Sequence, residues 1–157
     1  MRAWYDIKDF DLANRADEAG VEQSIVQVEA LIAREVERGI PASRILLAGF
    51  SQGGAITLAA GLRRGVPLGG LVALSTYLPM AHRAAELLQP GATAQPVFMA
   101  HGSHDPVVPF QAGERSAAVL GELGFKVDWH SYPMAHQVCA EQIRDLGDWM
   151  AARFAAT

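Results

Sequence analysis

The chain has 157 residues, half of them hydrophobic, 19% charged, with a formal net charge of −4. That length carries one domain with a real core, expected to span residues 1–157, and is short for an α/β enzyme. No Lys/Arg run or basic stripe occurs, so nucleic acid and anionic membranes are excluded as expected partners.

The opening stretch, MRAWYDIKDFDL, is acidic and aromatic and lacks the apolar centre of a signal peptide. Trp4-Tyr5 reads as a strand end and the rest as loop. From about Asp17 a helix is expected, since Val21, Ile25, Val28, Ile32 and Val36 recur at spacings of four, three, four and four. Gly39 and Pro41 close it. Ile45 to Ala48 is apolar without alternation, as in a strand buried on both faces. The glycine-rich GFSQGG follows, then a helix running to Arg63-Arg64. Gly70 to Ser75 reads as a second buried strand, and Ala81 to Leu88 as a short helix. Gln89 to Gln95 is a loop and Pro96 to His101 a third strand. Phe110 to Leu123 reads as a helix with Ala117, Leu120 and Leu123 inward. Phe125 to Tyr132 alternates, as in a half-exposed outer strand. Ala140 to Phe154 is a last helix expected to pack Ile143, Leu146, Met150 and Phe154. Strands alternating with helices imply an α/β fold, a mostly parallel sheet with helices on both faces. Every apolar stretch is broken well before membrane-spanning length, so no membrane insertion is expected. Cys139, the single cysteine, cannot form an internal disulfide and suits a reducing compartment. The expected location is cytoplasmic.

Gly49-Phe50-Ser51-Gln52-Gly53 is a G-x-S-x-G motif set between a strand and a helix. A serine on so tight a turn projects its hydroxyl beyond the sheet, and the following helix start offers N–H groups to developing negative charge. In a parallel sheet a site forms beyond the C-terminal strand ends. Asp105 lies there after the third strand and His136 after the fourth. The order Ser51, Asp105, His136 is that of a nucleophile, an orienting acid and a base on this type of fold. Asp105 before Pro106 fits a turn initiator equally well by itself. The other acids after Ser51 fall on predicted helices or, for Asp128, within a strand. His82 reads as helix surface and His130 as mid-strand. His101 and His104 flank the Asp105 turn and are expected to support it. Neither histidines nor Cys139 show zinc spacing, so no metal site is expected. Cys139 reads as a core-filling residue. The Gly49 to Gly54 turn has neither the dinucleotide pattern nor a lysine, which argues against nucleotide binding.

With these residues placed, the chain resembles the carboxylesterase and acyl-protein thioesterase family of α/β-hydrolases, in particular its small bacterial carboxylesterases. The resemblance rests on RAWYDIKDFD, ILLAGFSQGGAITL, ALSTYLP, VFMAHGSHDPVVP and YPMAHQV, which span nearly the whole chain in the family's order. It implies a cofactor-free serine hydrolase of short- to medium-chain carboxylic esters or acyl thioesters. Ser51, Asp105 and His136 would be catalytic, and the Gln52 N–H an oxyanion donor. It also implies an apolar acyl pocket, for which Leu78, Val107 and Met134 lie on the nearest loops. Sixteen residues between Pro79 and Pro96 are too few for a large lid.

Family members open with several strands and a histidine- and glycine-rich loop that supplies a second oxyanion N–H. No HGG- or HGxG-like loop precedes Ser51, so an N-terminally truncated α/β-hydrolase is expected. Two expectations follow. Activity should be weak, since losing one oxyanion donor typically costs ~10²–10³ in kcat. The Ile45 to Gly49 strand should form an apolar edge covered in a homodimer. The competing reading is a catalytically silent scaffold that serves as an oligomerising or interaction module.

Overall fold

The four predicted strands form a single sheet. The computed structural model describes residues 18–156, so the expected Trp4-Tyr5 strand end lies outside the described residues. In chain order the elements are α1 (Glu18–Glu37), β1 (Leu46–Phe50), α2 (Gln52–Leu62), β2 (Gly70–Leu74), α3 (Ala84–Leu87), β3 (Val97–Gly102), α4 (Phe110–Glu122), β4 (Val127–Tyr132) and α5 (Ala140–Ala155). Single 3-10 turns lie at Ala42–Arg44, Ala81–Arg83 and Ala92–Ala94, so the helix expected from Ala81 is a 3-10 turn leading into the short α3. The strands lie in the order β1-β2-β3-β4 and all pairs are parallel. All four C-terminal ends therefore open onto one rim of the sheet.

β2 and β3 are buried along their full length, which is why their sequences show no polar alternation. β1, expected to be buried on both faces, is instead the outer strand among the described residues, half-covered with Ala48 and Phe50 exposed. Successive side chains alternate between two cores. Leu71, Ala73, Val97 and Met99 pack with Val28 of α1, Ile56 of α2 and Leu120 of α4. Val72, Leu74, Phe98 and Ala100 face the other way, against Tyr132, Met134 and the α5 side chains Leu146 and Trp149. α2 is apolar all round because it is buried from Gly54 to Leu62. It approaches β2 so closely that a Cβ on Gly61 would lie 2.3 Å from Leu71 Cδ1.

Three helical faces differ from their predicted stripes. On α1, Val21, Ile25, Val28 and Ile32 are buried while Val36 is 44% exposed. Val36, on the last turn, borders an open surface groove with Ala42, Arg64 and Val66 instead of the core. On α4 the buried face is Gly113, Ser116 and Leu120, with Ala117 and Leu123 only partly covered. The His101 ring lies where a Cβ on Gly113 would be, 2.4 Å from Nδ1, and draws this small-residue face inward. On α5, Ile143 and Phe154 are exposed; the face toward the sheet carries Gln142, Leu146 and Trp149. Trp149 sets that rotation by packing on Phe98, ring centroids 5.8 Å apart.

The loops on the functional rim are tied together by main chain. Ser103 N–H donates to Tyr132 O at 2.9 Å and His104 N–H to Met134 O at 3.1 Å. Tyr132 Oη donates to Asp145 Oδ2 at 2.6 Å, joining β4 to α5. Between these contacts a Cβ on Gly102 would lie 2.2 Å from Met134 O and 2.3 Å from Ala135 O. Backbone atoms cannot swing aside as a flexible side chain can. Gly102→Ala is accordingly expected to destabilise the fold by about 3 kcal/mol, at the upper end of overpacking costs. Denaturant unfolding beside the wild type checks this, and an unchanged midpoint would contradict the contact.

Candidate active site

β1 runs directly into the turn that carries Ser51. Its N–H donates to Leu74 O at 2.8 Å, extending the sheet pairing one residue past the strand. The next bond of the chain opens α2, whose first helical hydrogen bond runs from Ala55 N–H to Ser51 O at 3.0 Å. To reverse from strand to helix within one residue, Ser51 adopts φ 56° and ψ −119°. This is a left-handed φ that costs a residue bearing a Cβ. Gly49 permits the reversal, since a Cβ there would lie 2.1 Å from Gly53 C and O.

Asp105 sits on the turn after β3, its side chain fully buried. Oδ1 accepts from Val107 N–H at 2.8 Å and Val108 N–H at 2.9 Å. Oδ2 accepts from His136 Nδ1 at 2.8 Å. Burial alone would raise this carboxyl's pKa, but the hydrogen bonds from His136, Val108 and Val107, with the attraction of the imidazole, hold it below the ordinary carboxylate range. With the Nδ1 proton committed to Asp105, His136 Nε2 presents a lone pair 3.1 Å from Ser51 Oγ. The ring is also packed against Phe50, centroids 4.8 Å apart.

The structure thus brings Ser51, His136 and Asp105 into one hydrogen-bonded chain from three different strand ends. It spreads the three residues expected along the acyl pocket. Leu78 is buried in the core on the α2 face and Met134 in the core under α5, whereas Val107 is 58% exposed on the Asp105 turn. His101 is buried and its Nε2 donates to Val108 O at 2.8 Å, while Asp105 Oδ2 stands 3.4 Å from the same nitrogen. His104 contributes its backbone N–H, its side chain being exposed. Cys139 is half-buried where α5 begins.

Two features of the site escape the sequence reading. One is a groove of about 430 Å³ between α1 and the outer edge of β1, lined by Val28, Leu31, Ile32, Leu47 and Phe50 and reaching Gly53. The other is Thr76, just past β2, whose Oγ1 donates to Ser51 O at 2.6 Å. Its position beyond a strand's C-terminal end was the available signal.

Comparison with known proteins matches residues 1–153 to the phospholipase/carboxylesterase family. An acyl-protein thioesterase 1 of Neurospora crassa is 40% identical over 161 residues, covering 98% of this chain and 66% of the relative. One of Yarrowia lipolytica is 42% identical over 156 residues, covering 96% and 68%. The chain thus spans about two thirds of the length of the curated relatives it matches. Among solved structures, Arabidopsis thaliana SOBER1 superposes with a TM-score of 0.91 at 29% identity, covering 98% of this chain and 74% of that one. Zea mays acyl-protein thioesterase 2 gives 0.82 at 28%, covering 97% and 72%.

The lowered Asp105 pKa makes a statement about acid stability. An unfolded chain protonates this carboxyl near pH 3.9, the folded chain only at lower pH. The stabilisation is therefore complete above about pH 4 and is lost as pH falls through the folded value. Asp105→Asn should be less stable than wild type at pH 7, with the gap narrowing below pH 4. Urea unfolding at pH 7, 5 and 3 measures it, and a gap of constant size across the series would refute the linkage.

Proposed function

Because the chain belongs to the phospholipase/carboxylesterase family of α/β-hydrolases, we propose that it hydrolyses carboxylic esters or acyl thioesters through an acyl-Ser51 intermediate. The observation that carries this reading is the continuous hydrogen-bonded chain from Ser51 Oγ through His136 to Asp105. A neutral serine hydroxyl is a weak nucleophile. As Oγ attacks the acyl carbon, His136 Nε2 takes its proton, and the buried Asp105 carboxylate stabilises the imidazolium that results. The carbonyl oxygen becomes an oxyanion, to which the Gln52 N–H at the start of α2 donates. The imidazolium then returns the proton to the departing alcohol or thiol. Water, deprotonated by the same nitrogen, attacks the acyl-serine and releases the acid.

The alcohol-side chemistry needs no metal or cofactor in this scheme. Short- to medium-chain acyl groups are the proposed substrates, with thioesters included because relatives carry the name acyl-protein thioesterase. Val107, exposed beside Asp105, is the pocket candidate an acyl group can touch directly; Leu78 and Met134 would support the rim from the core.

A fluorophosphonate probe tests the reading. Ser51 should be labelled, labelling should vanish in His136→Ala, and p-nitrophenyl butyrate turnover should fall by about 10⁴-fold or more in either Ser51→Ala or His136→Ala. Well-folded protein that takes no label would instead mark a silent scaffold. A butyryl thioester assayed beside the oxygen ester reads the leaving-group preference.

A second copy of this chain is the proposed cover for the outer edge of β1. This edge has no neighbouring strand among the described residues, and exposed Leu31 and Phe50 flank it. Light scattering should give a mass twice the 16.8 kDa of one chain, reduced to one chain by Leu31→Glu. A single-chain mass for the unmodified protein at micromolar concentration would overturn the dimer.

A further inference from the structure

We infer that Thr76 is a positioning residue for the oxyanion site, acting on the Gln52 N–H through the peptide group that Gln52 shares with Ser51. The inference rests on the hydrolase reading above and adds a residue to it. The Ser51 carbonyl and the Gln52 N–H are the two ends of one amide. Whatever holds the oxygen fixes the plane in which the N–H points.

Two donors converge on that oxygen. Ala55 N–H reaches it at 3.0 Å as the first hydrogen bond of α2, and Thr76 Oγ1 at 2.6 Å from outside the helix. A carbonyl has two lone pairs, so both are engaged. The Thr76 hydroxyl has one proton, and its other acceptor within range, Tyr77 O, lies at 3.5 Å. The proton therefore belongs to Ser51 O. The side chain has little freedom to turn away. Thr76 is 1% exposed, and its methyl and Cβ occupy the space a Cβ on Gly54 would need, at 2.7 and 2.9 Å. Gly54 is thus the counterpart that seats Thr76, which explains the second glycine of the GG pair.

The effect on chemistry has two parts. Ser51 is held at a strained φ, and a strained peptide relaxes unless its surroundings over-determine it. Thr76 is one of the groups that do so. In addition, a hydrogen bond to an amide oxygen draws electron density toward that oxygen and makes the N–H across the bond a stronger donor, and this polarisation is larger in a low-dielectric interior. The donor is strengthened where the negative charge of the tetrahedral intermediate develops. Binding of the uncharged ester gains much less, so the contribution belongs to the transition state.

Thr76→Val keeps the shape and removes the donor, and Thr76→Ser keeps the donor and removes the methyl. In Thr76→Val, kcat for p-nitrophenyl butyrate should fall about tenfold with KM within twofold. That is smaller than the ~10²–10³ of deleting an oxyanion donor outright. Affinity for an alkyl trifluoromethyl ketone, which forms a tetrahedral oxyanion on Ser51, should fall by the same factor. Thr76→Ser should recover most of both. In ¹⁵N-labelled protein the Gln52 amide resonance should move in Thr76→Val and return in Thr76→Ser. A purely packing role predicts the reverse order, with valine tolerated and serine impaired. Should Thr76→Val not fold, Thr76→Cys, a weak donor of similar size, takes its place. An unchanged Gln52 resonance, or loss of kcat without loss of ketone affinity, overturns the inference. The resonance also separates it from the hydrolase reading. If wild type neither turns over ester nor takes the probe, that reading fails, and a Gln52 shift confined to Thr76→Val still supports the coupling.

Discussion

A serine whose backbone is held at φ 56° is the constraint from which the rest of this structure follows. Backbone of this kind typically costs about 1–3 kcal/mol and persists only where its neighbours leave no alternative. Here the neighbours are identifiable. On one side Ser51 N–H is held by Leu74 O, so β1 cannot relax without losing its last link to β2. On the other, α2 is buried from Gly54 to Leu62 and cannot shift along its axis. The strand is fixed by its pairing with β2 and the helix by burial, and the serine between them takes the path that joins them. The apolar run before the motif and the all-round apolar helix after it are therefore part of the site, although neither touches a substrate.

A second constraint brings the other two residues to this serine. Asp105 and His136 are on loops, which would ordinarily be the least fixed parts of a fold. Their loops follow adjacent parallel strands, however, and the β3–β4 register places His101 and Gly102 beside Ser131 and Tyr132. Main-chain bonds from Ser103 and His104 then continue that pairing past the strand ends. The two loops behave as an extension of the sheet, with contact at Gly102 too close for any side chain. The Asp105 carboxylate is seated by two N–H groups of its own turn before His136 reaches it. Its burial is thereby tolerated, since a buried charge is stable only when its lone pairs are satisfied.

The fold class was legible because its signals are local. Uninterrupted apolar runs of four to six residues, each followed by a glycine- or proline-marked turn, identify strands without knowledge of their neighbours. They do not tell how far each strand is covered: β2 and β3 are buried throughout and β1 only in part. The positions of Ser51, Asp105 and His136 beyond three strand ends were legible for the same reason. Facing is different, because a helix turns its contact face toward whatever is bulkiest beneath it. On α5 the apolar residues Ile143 and Phe154 suggested one face, but Trp149 on Phe98 rotates the helix and leaves both exposed. On α4 the small residues Gly113 and Ser116 turn inward because the His101 ring fills the space before them. Neither partner could be read from the helix itself.

The same distinction separates the site residues that sequence reveals from those it hides. A nucleophile, a base and an acid are recognisable by chemistry, since few residue types serve each role. A threonine that holds a backbone carbonyl looks like any other threonine. What distinguishes Thr76 is that its hydroxyl proton and a strained amide oxygen meet in a space that Gly54 leaves open. That meeting depends on β1 and β2 being neighbours and ending level, so it exists only in three dimensions. A motif of five residues thus marks where the chemistry is placed. The direction in which its amide points is set by a threonine 25 residues further along the chain, just past β2.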